Sequence, residues 1–260
     1  MADTTPFALT WWGHATTTVE VGGVRVLTDP VLTDRVAHLG RLAPSPTPEA
    51  ARADVVLLSH LHRDHLHPRS LRRVSRDAVV VVPRGGERLL ARTPQRDVRP
   101  VAPGEVLEVA GLRIGVLPAK HSGRRSRFSG AAGRAQGFHV TGGDHSFWYA
   151  GDTGAPVPSV GSVSGPPVDL ALVPIGGWGP TLGEMHLDPE QAAAAVEQVG
   201  ARWVAPVHHG TLWPVGLRWV MPRNHRRLFA EPAGRFVHAM ADSATETVVP
   251  AHGERVVLVA

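Results

Sequence analysis

Short stretches in which apolar and polar residues alternate around glycine pairs predict two β-hairpins. The first is VEVGGVRVL, which alternates on both sides of Gly22 and Gly23. A glycine pair suits a two-residue turn because the central residues of such a turn adopt positive φ angles. The second is FHVTGGDHSFWYAG, centred on Gly142 and Gly143. We therefore expect one β-hairpin to open the fold and another to lie near the middle of the chain.

Unbroken apolar runs predict strands that are buried on both faces. The three clearest are DVVLLSH, DLALVPIGG and ARWVAPVHHG, and two of them end in histidine. Buried strands of this kind belong to parallel sheets, and loops at their ends carry the chemistry of many α/β proteins. Further strands are predicted over residues 78–82, 106–109 and 113–117, with a turn at Gly111 between the last two.

The clearest helix signal begins at Asp188. Asp188 suits the N-cap, Pro189 the first helical position and Gln191 a capping box, and the run AAAAVEQV ends at Gly200. Shorter helices are predicted over residues 70–75 and 85–91, and residues 43–49 read as a surface loop. Alternating strands and helices indicate an α/β fold, and we expect a single domain over residues 1–260.

Composition narrows the chemistry. With 260 residues, 43% of them hydrophobic, the chain can bury a large core, which excludes intrinsic disorder. It contains no cysteine, so disulfide frameworks, thiolate metal sites and cysteine nucleophiles are excluded as well. Any metal must be bound by His, Asp or Glu. Since we find neither a leader-like start nor a run of about 20 apolar residues, we expect a cytoplasmic protein without a membrane span.

The positive charge is small and comes almost entirely from arginine. The net charge is +4, and Lys120 is the sole lysine. Two arginine runs stand out, at Arg69, Arg72, Arg73 and Arg76 and at Arg124, Arg125 and Arg127. Such runs can contact phosphates. We interpret them as solvated surfaces and expect no stable nucleic-acid partner.

The candidate chemistry is concentrated in the segment LSHLHRDHLHP. Four of the 15 histidines fall between positions 60 and 67. Side chains alternate in an extended segment, so His60 and His62 point the same way, and Asp64 and His65 follow in a turn that can face the same cavity. This pattern offers two imidazoles to one cation and a carboxylate plus an imidazole to a neighbouring one.

The pattern His-x-His-x-Asp-His after a buried strand resembles the signature of metallo-β-lactamase fold hydrolases. Further pieces occur in the order found in the branch that contains N-acyl-phosphatidylethanolamine phospholipase D, with ascorbate-6-phosphate lactonases as more distant relatives. These pieces are WWGHATTTVEV…LTDPVL, LPAKHSGR, WYAGDTG, ALVPIGG, MHLDPEQA and APVHHGTL. The resemblance implies an αββα sandwich, with two mixed sheets flanked by helices and a two-metal site at the sheet edge.

Carried over residue by residue, the resemblance implies a set of metal ligands. One cation would be held by His60, His62 and His121, the other by Asp64, His65 and His208, and Asp152 would bridge both. Imidazole and carboxylate ligands suit Zn²⁺, and also Mn²⁺ or Fe²⁺. The resemblance also implies that Asp29 supports the site, and orienting a ligand imidazole is a plausible task for it.

The remaining residues of interest fall outside this ligand set. His186 precedes the N-cap Asp188, and the relatives place a histidine here near the substrate, so we expect His186 to be catalytic rather than a ligand. We expect His14 to be a buried, hydrogen-bonded partner, His209 a rim or core residue, and His67 exposed. Trp213, Trp219 and Met221 could line a substrate or membrane surface, but we favour the core for them.

The resemblance implies a binuclear metal-dependent hydrolase acting on a small-molecule or lipid-derived ester. A hydroxide held between the cations would attack the ester, Asp64 and Asp152 would hold the cations, and His186 would stabilise charge or protonate the leaving group. The motifs favour a phosphodiester, as in phospholipase D, over a lactone or carboxylic ester. RNA processing of the ribonuclease Z type and non-catalytic metal binding are weaker alternatives. The segment 103–120 lacks the tryptophan expected from the phospholipases, so lipid specificity is not carried over.

Overall fold

Two seven-stranded sheets and one small sheet form the framework of the protein. The computed structural model describes residues 5–126, 129–157, 167–177 and 181–259, and Arg127 of the second arginine run lies outside them. The strands are, in chain order, β1 (Ala8–Trp11), β2 (Thr17–Val21), β3 (Val24–Thr28), β4 (Arg35–Val36), β5 (Leu39–Arg41), β6 (Val55–Leu57), β7 (Val79–Pro83), β8 (Val98–Val101), β9 (Val106–Val109), β10 (Leu112–Pro118), β11 (Gln136–Gly142), β12 (His145–Tyr149), β13 (Leu170–Pro174), β14 (Trp203–Val207), β15 (Leu212–Pro214), β16 (Glu246–Thr247) and β17 (Arg255–Val257).

Both large sheets are mixed. The first has the order β17-β1-β2-β3-β6-β7-β8, and its strands β3, β6, β7 and β8 are parallel to one another. The second has the order β16-β14-β13-β12-β11-β10-β9, with β12, β13 and β14 parallel. The third sheet, β15-β5-β4, has three strands. The predicted buried strands β6, β13 and β14 are each buried along their full length.

The two glycine-pair hairpins are present, with one shift. Strands β2 and β3 pair up to Val21 and Val24, and Gly22 and Gly23 have φ angles of 54° and 75°. Strands β11 and β12 pair up to Gly142 and His145, so the turn lies one residue later than the sequence indicated. The prediction that a hairpin opens the fold was wrong, because β1 precedes it and pairs with both β2 and the C-terminal β17.

The helices of the described structure are α1 (Pro68–Leu71), α2 (Pro189–Val199), α3 (Leu217–Val220), α4 (Pro222–His225) and α5 (Pro232–Ala239), with 3₁₀ turns at Pro48–Ala51 and Glu87–Leu90 and a π-helical turn at Arg226–Ala230. Helices α1, α2 and α5 lie on the outer faces of the two large sheets, and α3 contacts β15 of the small sheet. The predicted capping box of Asp188 and Gln191 is present in helix α2. The helix ends at Gly200, whose φ angle is 66°. The helix predicted over 70–75 covers Pro68–Leu71 instead, so only its first two predicted residues are helical, and the one predicted over 85–91 is a 3₁₀ turn.

Apolar side chains separate the four layers. The layer between the sheets contains residues such as Leu9, Val26 and Leu57 from the first sheet and Ile114 and Phe138 from the second. Further residues fill the space between the second sheet and helices α2 and α5: Trp148, Val173, Val196, Val204, Phe236 and Met240. Leu61, Leu66, Leu71 and Leu90 cover the outer face of the first sheet. The predicted αββα sandwich is confirmed.

The tryptophans after β14 have different environments. Trp213 is buried, as we expected, whereas Trp219 is 75% exposed, so the expectation that it lies in the core was wrong. Trp219 sits in the four-residue helix α3, none of whose residues is buried, and Met221 after it is only half-buried. Within the described ranges, no helix is long and apolar enough to cross a membrane.

Candidate metal centre

The predicted site residues follow strands whose carboxyl ends meet at one edge of the sandwich. His60 comes three residues after β6, Asp152 three residues after β12 and His208 directly after β14. Strand β10, which precedes His121, is antiparallel to β11, which in turn is antiparallel to β12, so β10 ends at the same edge. The strand directions therefore bring residues distant in the sequence into one cavity.

Three imidazoles form the group that we call the outer group: His60, His62 and His121. The distance between His60 Nε2 and His62 Nδ1 is 2.9 Å, and that between His121 Nε2 and His62 Nδ1 is 3.2 Å. Hydrogen bonds at the other ring nitrogen orient two of these rings. His121 Nδ1 donates to Met185 O at 2.9 Å, and His60 Nδ1 lies 2.9 Å from the Ser59 hydroxyl. His62 is half-buried, whereas the side chain of His121 is only 2% exposed.

A second group, the inner group, is fully buried and contains a carboxylate. It consists of His14, Asp64, His65 and His208, whose ligand atoms lie within 4.8 Å of one another. The distance between His65 Nε2 and His208 Nε2 is 3.1 Å, and Asp64 Oδ2 lies 3.6 Å from His65 Nε2 and 3.9 Å from His208 Nε2. His208 Nδ1 donates to Gly176 O at 3.0 Å, which leaves Nε2 facing the group.

Asp152 lies between the two groups. Its Oδ2 atom is 3.2 Å from His208 Nε2 and 3.3 Å from His65 Nε2 in the inner group. The same oxygen is 3.9 Å from Nε2 of both His60 and His121 in the outer group. The other oxygen, Oδ1, is buried and has no hydrogen-bond partner in the described structure. A buried, unsatisfied carboxylate oxygen surrounded by imidazole nitrogens is suited to binding cations.

His14 is part of this geometry, which sequence reasoning recognised only in part. It is buried, and its Nε2 donates to Asp64 Oδ2 at 3.0 Å, as expected of a hydrogen-bonded partner. A ring nitrogen of His14 also lies within 4.8 Å of ligand atoms of Asp64, His65 and His208, but Nε2 could bind a metal only by giving up its hydrogen bond to Asp64. His14 and His208 have positive φ angles of 54° and 61°, which non-glycine residues seldom adopt, and His208 N–H donates to His14 O. The only sequence signal for His14 was its place in the WGHAT motif.

Asp29 anchors imidazoles of both groups. Its Oδ2 atom accepts a hydrogen bond from His65 Nδ1 at 2.7 Å and others from the hydroxyls of Ser59 and Tyr149. The hydrogen bond expected from Asp29 to a candidate ligand is therefore present. Because the Ser59 hydroxyl also contacts His60 Nδ1, one carboxylate orients a ring in each group. Sequence reasoning missed Tyr149, because nothing in the pattern of strand β12 distinguishes it from the other residues of that strand.

Burial and neighbouring charges set the protonation of the cluster. Burial holds the pKa of His60 and His208 well below the usual value and lowers the pKa of His62 to about 4. Burial alone would raise the pKa of Asp64 and Asp152, but the imidazoles around them, led by His65 and His208 respectively, hold it well below the usual range. The result is ionised carboxylates among mostly neutral imidazoles, as metal binding requires.

His65 and His186 are the exceptions. Burial would lower the pKa of His65, but the carboxylates of Asp152, Asp64 and Asp29 raise it well above the usual value. For His186, burial is likewise outweighed by Asp152, whose Oδ2 lies 3.6 Å from His186 Nε2. His186 lies close to His121, with ring centroids 4.8 Å apart, so the structure brings it nearer to the candidate ligands than its loop position suggested.

The other histidines have structural environments. His209 is buried and its ring stacks on Trp11 at 4.8 Å, away from the two groups, in agreement with the expected core position. The expectation that His67 is exposed was wrong. It is only 7% exposed, since Pro68 starts helix α1 and the His67 ring turns inward so that Nδ1 lies 2.8 Å from Ser70 Oγ. Burial, together with nearby arginines led by Arg125, lowers the pKa of His67 to about 4.

Two cavities adjoin the metal centre and share His186 as a wall. One has a volume of about 570 Å³ and is lined by His62, Asp64 and His186, by the apolar residues Val36, Leu39 and Leu182, and by Arg63 and Arg125. The other, of about 650 Å³, is lined by Lys120, Asp188, Arg227 and Arg235 among others. The first reaches the candidate ligands directly, so it is the candidate substrate cavity.

Comparison with known proteins agrees with the fold and the cluster. The sequence profile of the beta-lactamase superfamily domain matches residues 24–209. A UPF0173 metal-dependent hydrolase of Methanopyrus kandleri is 33% identical over 220 residues, which cover 80% of this chain and 86% of the relative. N-acyl-phosphatidylethanolamine-hydrolyzing phospholipase D 1 of Caenorhabditis elegans is 30% identical over 226 residues, 78% of this chain and 63% of that protein.

A solved structure shows the same architecture over nearly the whole chain. Igni18, a metallo hydrolase from the archaeon Ignicoccus hospitalis, superposes with a TM-score of 0.70 at 24% identity and covers 98% of this chain and 99% of its own. Fold and cluster together define a metal-dependent hydrolase of the metallo-β-lactamase fold. The chain belongs to the beta-lactamase superfamily, and the resemblance to the phospholipase D branch is confirmed by the nematode relative.

Proposed function

We propose that the protein is a binuclear metal-dependent hydrolase that cleaves a phosphodiester. The observation that carries the proposal is the position of Asp152, whose Oδ2 faces both groups while its Oδ1 is buried without a partner. One cation would be held by His60, His62 and His121, the other by Asp64, His65 and His208, and Asp152 would be shared between them. His14 is available as an additional ligand to the inner cation.

The protein's own residues hold and orient the reactants. When bound, two divalent cations lower the pKa of water and polarise the scissile ester oxygen. The buried carboxylates of Asp64 and Asp152 keep the centre negative enough to hold both ions. His186, which faces the substrate cavity and has a raised pKa, donates a proton to the leaving-group oxygen or stabilises its developing charge.

Two features favour a phosphodiester over a lactone or carboxylic ester. Arg63 and Arg125 line the substrate cavity, and guanidinium groups suit a phosphate anion better than a neutral ester. The nematode relative is, by its name, a phospholipase D, and it aligns with 78% of this chain. The apolar wall of Val36, Leu39 and Leu182 would accommodate an apolar part of the same substrate.

The proposal is tested by turnover of model esters. Protein reconstituted with Zn²⁺ or Mn²⁺ should hydrolyse bis(p-nitrophenyl) phosphate, and the Asp152→Asn variant, prepared in parallel, should not. A γ-lactone, a p-nitrophenyl carboxylate ester and a β-lactam complete the panel. If lactones turn over while the diester is inert, lactonase activity replaces the proposal. If the protein binds metal but turns over none of these, the catalytic assignment is wrong.

A further inference from the structure

A row of arginines leads away from the substrate cavity. Beside that cavity lies a depression of about 400 Å³ that we call the arginine groove, lined by Arg35, Arg63, Arg69 and Arg125 together with Val36, Ala37, His67 and Pro68. The groove shares Arg63 and Arg125 with the substrate cavity. It also shares Arg35 and Arg69 with a third depression, which Arg72 and Arg73 line as well. The two depressions therefore adjoin the substrate cavity one after the other.

The lining of the arginine groove carries positive charge only. It contains four arginines and no carboxylate, while Asp34 lines the adjoining third depression. Within the described residues, Arg35, Arg63 and Arg69 form no ion pair, and neither does Arg92, which is exposed outside the groove. Like charges gathered in one depression repel one another, so this arrangement costs stability unless an anion binds there.

The arginine at the boundary with the substrate cavity is fixed in place. Arg125 Nη1 donates to the backbone carbonyls of Leu61 at 2.8 Å and His62 at 3.3 Å, and also to Leu66 O. Arg63 lies in the chain between the candidate ligands His62 and Asp64, but its side chain is exposed. The guanidinium of Arg125 is therefore positioned relative to the metal centre before any ligand binds, which reduces the entropy lost on binding.

We propose that the arginine groove binds a second phosphate group of the substrate, next to the scissile ester, so that the preferred substrate is a phosphodiester carrying an additional phosphate. This proposal rests on the proposed function. Guanidinium groups pair with phosphate through charge-assisted, often bidentate hydrogen bonds. A groove of this volume accommodates a single phosphate with its surrounding atoms. Arg63 and Arg125 line both the groove and the substrate cavity, and Arg35 and Arg69 line both the groove and the third depression.

A matched pair of substrates tests the proposal. Thymidine 5′-(p-nitrophenyl phosphate) and the same compound with a 3′-phosphate differ only in the second phosphate. The metal-loaded wild-type protein should have a kcat/KM at least about tenfold higher for the compound with the 3′-phosphate. In Arg35→Gln and Arg69→Gln this ratio should fall about tenfold. Arg92→Gln, which alters an exposed arginine outside the groove, is the matched control and should keep the wild-type ratio.

Binding of the two products separates this proposal from the proposed function. Isothermal titration should show tighter binding of thymidine 3′,5′-bisphosphate than of thymidine 5′-monophosphate, and the difference should shrink in Arg35→Gln and Arg69→Gln only. Equal affinities for the two products would overturn the assignment of the groove as a phosphate site, even if diesters are cleaved. Equal effects of Arg35→Gln, Arg69→Gln and Arg92→Gln would overturn it as well. If neither diester is cleaved but the affinity difference is present, the proposed function fails and the groove stands as a phosphate site.

Binding of an oligonucleotide tests whether the groove binds a polynucleotide instead of a small substrate. If an oligothymidylate binds much more tightly than the bisphosphate, and its affinity falls with salt by about 0.7 log units per neutralised phosphate on a log scale, a polynucleotide occupies the row of depressions. That result would overturn the assignment of a small substrate. An oligothymidylate affinity close to that of the bisphosphate supports a site for one phosphate.

Discussion

The inner and outer groups offer similar ligand types but differ in how firmly the protein holds them. All four side chains of the inner group are buried, and two of them, His65 and His208, are oriented by buried hydrogen bonds to Asp29 and to the Gly176 carbonyl. In the outer group the side chains of His60 and His121 are buried as well, but His62 is half-buried and the group contains no carboxylate. Ordering side chains on binding costs conformational entropy, so a fully preorganised group binds a cation more tightly. Under the proposed function, this comparison predicts an inner site that binds first and an outer site that exchanges more readily.

The largest expected effect comes from removing one ligand from each group in turn. Asp64→Ala should lose the inner cation and retain the outer one, because His60, His62 and His121 remain. His121→Ala should lose the outer cation and retain the inner one. Both variants should lose turnover, since each leaves the centre with a single ion. Elemental analysis and kinetics on the same preparations check this. Loss of both ions from either variant would mean that the two sites are not separable.

A smaller effect is expected for His186, which lies beside the outer group. His186→Ala should keep both ions and the fold while turnover falls by roughly 10²–10³-fold, the usual cost of removing one preorganised donor to a transition state. His186→Ala with one ion missing would make His186 an outer ligand, which its 3.6 Å distance from Asp152 permits. Near-full turnover on both an activated and an unactivated ester would make it an ordinary loop residue.

The smallest effect should follow from altering the anchor of the inner group. Asp29→Asn weakens the hydrogen bond that orients His65, so the affinity for the inner cation should fall about 10–100-fold. Tyr149→Phe removes a single hydrogen bond to the same carboxylate and should have the milder effect of the two. Competition with a chromophoric chelator measures both. If the outer cation is weakened more than the inner one, the proposed difference between the groups is reversed.

The features that could be predicted from the residues alone are those set by short-range geometry along the chain. The segment His60 to His65 forms both groups because two extended positions and a following turn are set by short-range geometry. The capping box of Asp188 and the Gly22-Gly23 hairpin are local for the same reason, and both are confirmed. His121, Asp152 and His208 were predicted as ligands only from the family resemblance. They are far from His60 in the sequence, so no local pattern predicts that they lie near it. The structure brings these residues together, and their assignment as ligands stays a prediction.

Tertiary packing decided the features that sequence reasoning missed. Tyr149 reaches Asp29 across 120 positions of the chain, and Arg35 and Arg69 line one groove although they belong to different segments. The burial of His67 and the exposure of Trp219 likewise depend on how the short helices α1 and α3 lie against the rest of the protein. No periodicity in the sequence reports such contacts.

The central claim is that this chain holds two cations in sites of unequal strength, and a metal titration tests it most directly. Protein stripped with a chelator and titrated with Zn²⁺ or Mn²⁺ in a calorimeter should bind two ions per chain in two resolved steps. Asp64→Ala should abolish the tighter step and His121→Ala the weaker one. A reproducible content of one ion or less after saturation with either metal would contradict the claim, as would two ions bound in a single step that both variants weaken equally.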